Sequence, residues 1–300
     1  MKSQVQDDAL LRAMPLVFVM IWSTGFIVAR YGMPYAPPMS FLALRYALSI
    51  LCFLIWIGLA RVAWPDTRQQ WLHLALTGVL MHGGYLGGVW SAVKAGMGAG
   101  LSALIVGLQP VLTAVWLSAS GSRVTKKQWL GLLLGLVGLV LVVSNKFGKG
   151  GEADWTNLSL AVLALLSITT GTLYQKRFVK PCDVRSANAV QLMAAFAVTF
   201  PLAMLEDEMI RWVGPSGSLN LELAGAMAWS VLGLTLGGSS LLYLLIQRGA
   251  ATTVTSLLYL VPPATAMLAW LLFGEPITIV ILLGTALTAI GVGLVVRPTQ

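Results

Sequence analysis

Residues 131–143 read GLLLGLVGLVLVV, and residues 284–296 read GTALTAIGVGLVV. Laid side by side they share Gly131 with Gly284, Leu134 with Leu287, Gly138 with Gly291 and a closing Leu-Val-Val, six identities in thirteen positions. Two further matches occur in the same order. HGGYLGG from His82 pairs with LGLTLGG from Leu232 through Gly83 and Gly233, Leu86 and Leu236, and Gly87-Gly88 with Gly237-Gly238. Pro110 and Pro262 interrupt corresponding apolar runs. Apolar stretches coincide by chance more readily than polar ones, so one window carries little weight. Three in register and in order define an internal repeat.

The composition says what medium these runs occupy. Of 300 residues, 57% are hydrophobic and 10% charged, whereas soluble domains hold roughly 45–50% apolar and about 25% charged residues. Apolar runs free of Asp and Glu have the length and purity that a hydrocarbon core of ~30 Å demands of a helix. Helices are expected at Leu11–Ala29, Ser40–Ala60, Trp71–Val93, Gly98–Ser118 and Gln128–Val143, then at Leu158–Gln175, Val184–Leu205, Leu223–Gln247, Ala251–Phe273 and Ile277–Val296. Gly148, Gly150 and Gly151 separate the two sets. The expected fold is an all-α polytopic membrane protein of ten transmembrane helices, arranged as two repeats over residues 1–147 and 148–300. Five is odd, so the second repeat enters the bilayer inverted, an arrangement that suits two halves rocking about a midplane site. The first helix ends in Ala29-Arg30-Tyr31 without a small-residue cleavage site and reads as a retained signal anchor.

Charge sets the orientation. Thirteen of the nineteen Lys and Arg fall on the side of the termini, and five, Arg30, Lys94, Lys146, Lys149 and Arg211, on the other. Short cytoplasmic loops carry the excess, so both termini are expected in the cytoplasm, with the protein in a bacterial inner membrane. The formal charge of +8 is spread over these loops rather than gathered in a patch, which argues against a nucleic-acid partner. Cys52 and Cys182 have no spacing for a disulfide or metal, and no cofactor is implied.

The chain resembles the drug/metabolite transporter superfamily, in particular its ten-helix EamA-type exporters. Trp22, Ser23 and Phe26 match the first helix of that family, Pro38 and Arg45 its second, and Pro110 its fourth. The segment from Tyr259 through Pro262 to Leu271-Leu272-Phe273-Gly274-Glu275, followed by Gly284 and Gly291, carries the strongest likeness. In the first repeat Arg123 stands where the pattern has an acidic residue. The resemblance implies solute export by alternating access, with amino acids or related small metabolites as cargo. Drugs or other amphipathic solutes are the alternative.

The residues themselves suggest a site. Arg45 lies roughly 10 Å inside its helix at ~1.5 Å per residue, where a charge costs ~2.5–3.5 kcal/mol. It either faces a wet cavity, meeting a solute or partner carbonyls, or snorkels to the periplasmic surface or ties two helices together. His82, beside Gly83 and Gly84, is suited to a polar solute, to an interhelical hydrogen bond, or to carrying a proton if transport is proton-coupled. Trp22, Tyr85, Trp90, Tyr174 and Gln175 are expected to line the same cavity, with Ser239, Tyr243 and Tyr259 from the second half. Buried hydroxyls equally often bond their own helix. Pro110 and Pro262 are expected to kink their helices or free carbonyls. All eleven acidic residues fall in loops or at helix ends, which disfavours proton exchange against lipophilic cations. A membrane enzyme would need clustered catalytic groups or metal ligands, and a channel a ring of polar groups; neither is evident.

Overall fold

The computed structural model describes residues 2–119, 125–147, 152–214, 217–247 and 260–296. Among them every regular element is helical, and only two isolated β-bridges occur. α1 spans Lys2–Gly32 and α2 Pro38–Ala60. A long rod follows, built of α3 (Arg68–Gly78), a π-helical stretch at Val79–Gly84, and α4 (Tyr85–Lys94). Then come α5 (Ala99–Val106), α6 (Gln109–Ala119), α7 (Lys126–Lys146), α8 (Trp155–Phe178) and α9 (Val184–Ala203). A second interrupted rod holds α10 (Leu221–Trp229), a π-helical stretch at Ser230–Ser239, and α11 (Ser240–Gln247). α12 (Val261–Phe273) and α13 (Ile279–Val296) complete the order.

Six of these segments are long and apolar enough to cross a bilayer: Pro38–Ala60, Ala99–Trp116, Lys126–Lys146, Trp155–Phe178, Val184–Ala203 and Leu221–Tyr243. Val17–Gly32, Val261–Phe273 and Ile279–Leu294 are shorter and equally apolar. α2 shows why such a helix belongs in lipid. Phe41, Arg45, Tyr46, Ser49 and Phe53 form its buried stripe, while Leu51, Ile55 and Leu59 face away from the protein, Leu59 at 82% exposure. A helix that is apolar on its outer face as well as its inner one has its lowest free energy in hydrocarbon.

The helix ends are tied by polar side chains at the loops. Thr125 with Gln128 and Asp154 with Asn157 form reciprocal capping boxes on α7 and α8. Two caps come from remote chain. Glu206 accepts from the nitrogens of Met39 and Ser40 at 2.9 and 2.8 Å, and Glu275 from those of Ala99 and Gly100 at 3.0 and 3.4 Å. Each carboxylate therefore meets the positive end of a helix that its own helix does not precede.

α1 begins well before Leu11, because nothing in the polar start opposes helix. Pro110 was expected within a helix and instead stands in the first turn of α6, after a break at Gly107-Leu108. Pro262 stands in the first turn of α12. Proline is tolerated at both places because the missing N–H has no helical acceptor there. The break in the first half meets this proline: a Cβ on Gly107 would lie 2.7 Å from Pro262 Cγ.

Helix pairing follows the internal repeat. α2 packs on α9, α5 on α12, and α7 on α13; α1 meets α10, and α4 meets α8. Exchanging corresponding members of the two halves returns the same set of pairs. A close seam joins α7 and α13 antiparallel. A Cβ on Gly291 would sit 2.5 Å from both the Gly131 oxygen and the Gly135 nitrogen. Thr288 Oγ1 donates to the Gly284 carbonyl at 2.9 Å and approaches that of Gly135 at 3.4 Å. The glycines that revealed the repeat thus touch one another across it.

Residues 204–214 fold over the α1–α2 turn. Arg211 N donates to the Tyr35 carbonyl at 2.8 Å, its Nη2 to that of Pro34 at 2.5 Å, and Tyr35 Oη to Glu222 at 2.8 Å. Lys94 pairs with Glu208 at 2.7 Å, which holds the Glu208 carboxyl below the usual glutamate range. A depressed folded value stabilises above the unfolded pKa and is lost as pH falls through the folded one. Glu208→Gln is therefore expected to lower the melting temperature slightly at neutral pH and not at all in acid, as thermal unfolding in detergent across pH would show. A difference that stays constant with pH would mean that the pair does not form.

Candidate functional site

Between the two interrupted rods lies a cavity with about 760 Å³ of empty space, adjoining open solvent included. Eight of the ten residues expected from sequence line it: Trp22, Arg45, His82, Tyr85, Trp90, Gln175, Ser239 and Tyr243. Tyr174 is not among them. Its hydroxyl meets His73 Nδ1 at 2.7 Å and its ring packs on Phe178, on another side of α8. Tyr259 lies outside the described residues.

The cavity runs from Trp90 and Arg45 to Gln175, Asn188 and Tyr243, on α8, α9 and α11. Tyr243 meets Cys182 Sγ there at 3.2 Å. At the other end Trp90 is fully buried and stacked on Phe41 at 4.5 Å between centroids. Phe26, Val89, Ile168 and Leu234 supply the apolar wall.

Arg45 is 4% exposed, and its guanidinium carbon lies 5.9 Å from the centre of the Trp90 ring. Its Nε and Nη2 donate to Thr235 Oγ1 at 3.1 and 3.0 Å. The ion pairs among the described residues are Lys94–Glu208, Lys146–Glu152 and Arg185–Asp183, so no described carboxylate neutralises Arg45. A buried cation held by a neutral hydroxyl, at the wall of a cavity, leaves a seat for an anion.

The next residue, Tyr46, donates from Oη to the His82 carbonyl at 2.8 Å, and its ring stands edge-on to the imidazole. Two amides complete the polar lining. Gln191 contacts His82, and its buried Nε2 has no hydrogen-bond partner; Asn188, one turn before it on α9, spends its Nδ2 on the Val184 carbonyl at 2.8 Å. The sequence reading missed both. Their signal was present: Asn188 and Gln191 are spaced three apart in an otherwise apolar run.

Backbone winding brings these groups together. His82 lies in the first π-helical stretch, and Leu234, Thr235 and Ser239 in the second. A π turn widens the helix, shifts its hydrogen-bond register by one residue, and occurs often at functional sites. Glycines allow the close contacts: a Cβ on Gly84 would lie 2.6 Å from Ser167 Oγ, and one on Gly88 2.7 Å from the Leu160 carbonyl.

The sequence matches the EamA-like transporter family over residues 13–144 and 155–297. It is 25% identical over 261 residues to the uncharacterized inner membrane transporter YedA of Escherichia coli K12, covering 86% of this chain and 81% of that one. The uncharacterized transporter YvbV of Bacillus subtilis is 26% identical, covering 94% and 90%. A probable amino-acid metabolite efflux pump of Salmonella typhimurium is 23% identical, covering 84% and 73%. A solved crystal structure, 18% identical, covers 94% of both chains with a TM-score of 0.64 and shares the fold. The two matched segments together take in all of the described cavity, and the chain is a multi-pass membrane transporter belonging to the EamA-like transporter family.

Proposed function

We propose that the protein exports amino acids or related small metabolites across a bacterial inner membrane by alternating access, with the cavity at Arg45 as the solute site. The observation that carries this is Arg45 itself, a buried cation without a described carboxylate partner on the wall of the cavity. Maintaining that charge in a membrane interior costs several kcal/mol by insertion scales, about 2.5–3.5, a cost that an incoming carboxylate offsets. Trp22, Tyr85 and Trp90 offer an aromatic wall to the rest of the solute. Gln191, with its unpartnered amide nitrogen, offers a second polar contact. Relatives named as probable amino-acid metabolite efflux pumps support the same class.

In this reading the chain crosses the bilayer ten times, as two inverted five-helix repeats over residues 1–147 and 148–300, with both termini cytoplasmic. The pairing of helices, unchanged when halves are exchanged, supports the repeat, and the excess of Lys and Arg supports the orientation. Export of drugs or other amphipathic solutes draws on the same aromatic wall, but Arg45 repels cations, which leaves neutral or anionic compounds.

The test is counterflow in liposomes: vesicles preloaded with a mixed L-amino-acid pool are diluted into labelled amino acids. Transient accumulation of label above equilibrium is expected. No counterflow from correctly folded protein would sink the amino-acid assignment. Repeating the assay with an imposed pH gradient separates proton coupling through His82 from facilitated diffusion.

A further inference from the structure

Arg45 and Tyr46 are consecutive on α2, yet each grips a different π-helical stretch. The grip on the second stretch is saturated. Thr235 Oγ1 accepts from both Nε and Nη2 of Arg45, and its own proton goes to the Ser230 carbonyl at 2.8 Å, five residues back. A threonine in an α-helix bonds a carbonyl three or four residues back. The five-residue reach exists because π winding brings that carbonyl beneath the side chain.

A guanidinium carries five N–H donors in a rigid planar fork. Thr235 takes the side edge, Nε with one Nη2 hydrogen. Among the described residues nothing takes the end edge, formed by Nη1 and the other Nη2 hydrogen, and Arg45 lines the cavity. An end edge is the shape that a carboxylate accepts from with both oxygens.

We propose that Thr235 is the positioning residue of Arg45: by pinning the side edge it turns the end edge to the cavity, where the anionic group of the solute binds. This rests on the cavity being the solute site. Because each residue of helical register turns a side chain by about 100°, Thr235 holds this position only while Ser230–Ser239 is wound as π-helix. Affinity for the anion is thereby tied to the winding of one helix in the second half of the chain. Unwinding the π stretch releases Arg45 and, with it, the solute.

The experiment compares wild type, Thr235→Val and Thr235→Ser. Valine keeps the shape and removes the hydroxyl; serine keeps the hydroxyl. The probes are the L-amino acid giving the largest counterflow in wild-type vesicles and its uncharged carboxamide, with thermal shift in detergent by the same compounds as a second readout. Thr235→Val is expected to raise KM for the acid roughly tenfold, about 1.4 kcal/mol, with the maximal rate nearly unchanged. Serine is expected to restore it, and carboxamide exchange to be equal in all three. An unchanged KM in Thr235→Val, or one raised equally for acid and carboxamide, would overturn the assignment and leave the cavity as the solute site. If wild type neither exchanges nor is stabilised by any carboxylate, the solute reading falls and the role of Thr235 falls with it.

Discussion

Arg45→Met is expected to abolish exchange of anionic solutes while leaving the protein at least as heat-stable as wild type. Both halves of that expectation come from the same contacts. Arg45 is buried, donates to a neutral hydroxyl, and has no described carboxylate beside it. Replacing it with an apolar side chain of similar length removes an unneutralised charge and leaves Thr235 bonded to the Ser230 carbonyl. Substituting buried ionic groups by well-packed apolar ones is commonly neutral or stabilising. A solute carboxylate entering the altered cavity would lose its partner, a loss of about 3–5 kcal/mol for a broken buried pair, or roughly 150- to 5,000-fold in kcat/KM. Melting temperature and counterflow should therefore move independently. A variant that loses both together would show that Arg45 holds the fold rather than the solute.

Gly291→Leu is expected to leave no folded protein, while Gly293→Leu on the same helix is expected to behave as wild type. At Gly291 the first added carbon would already stand 2.5 Å from two backbone atoms of α7 and 3.0 Å from a third. Backbone cannot turn aside as a side chain does, so α13 would have to leave the seam. Even modest overpacking costs about 1–3 kcal/mol, and a whole leucine far exceeds it. A Cβ at Gly293 meets nothing within 4 Å, and a leucine pointing into that open space is close to neutral. Monodisperse yield in detergent for the two variants decides the matter. Equal yields would show that α7 and α13 do not approach as described.

Hydropathy located the rods well because the bilayer selects for long apolar runs, and the Gly131–Gly284 and Gly138–Gly291 matches led directly to the seam. Winding was not legible. α- and π-helix differ by one residue in hydrogen-bond register, and both leave Val79–Gly84 and Ser230–Ser239 equally apolar. The repeat nevertheless marked both places, since HGGYLGG and LGLTLGG overlap the two stretches. Side-chain direction was legible only in part. Tyr174 and Gln175 are neighbours, but about 100° of helical rotation sends one to His73 and the other to the cavity. Composition alone cannot choose between them without knowing which face α8 buries. Asn188 and Gln191 carry no charge and no titratable group, so neither charge placement nor window-averaged hydropathy distinguishes them from the rest of α9.

The adjacency of Arg45 and Tyr46 has a mechanical side. Consecutive Cα atoms are about 3.8 Å apart, so the points where α2 holds the two π-helical stretches are separated by a single peptide unit. A lever that short transmits displacement almost without bending. In this state any axial slide or roll of α2 pulls on the His82 carbonyl and the Thr235 hydroxyl together. The two stretches are thus geared to one shaft: one cannot change its winding while the other stays still unless α2 first lets go of one of them.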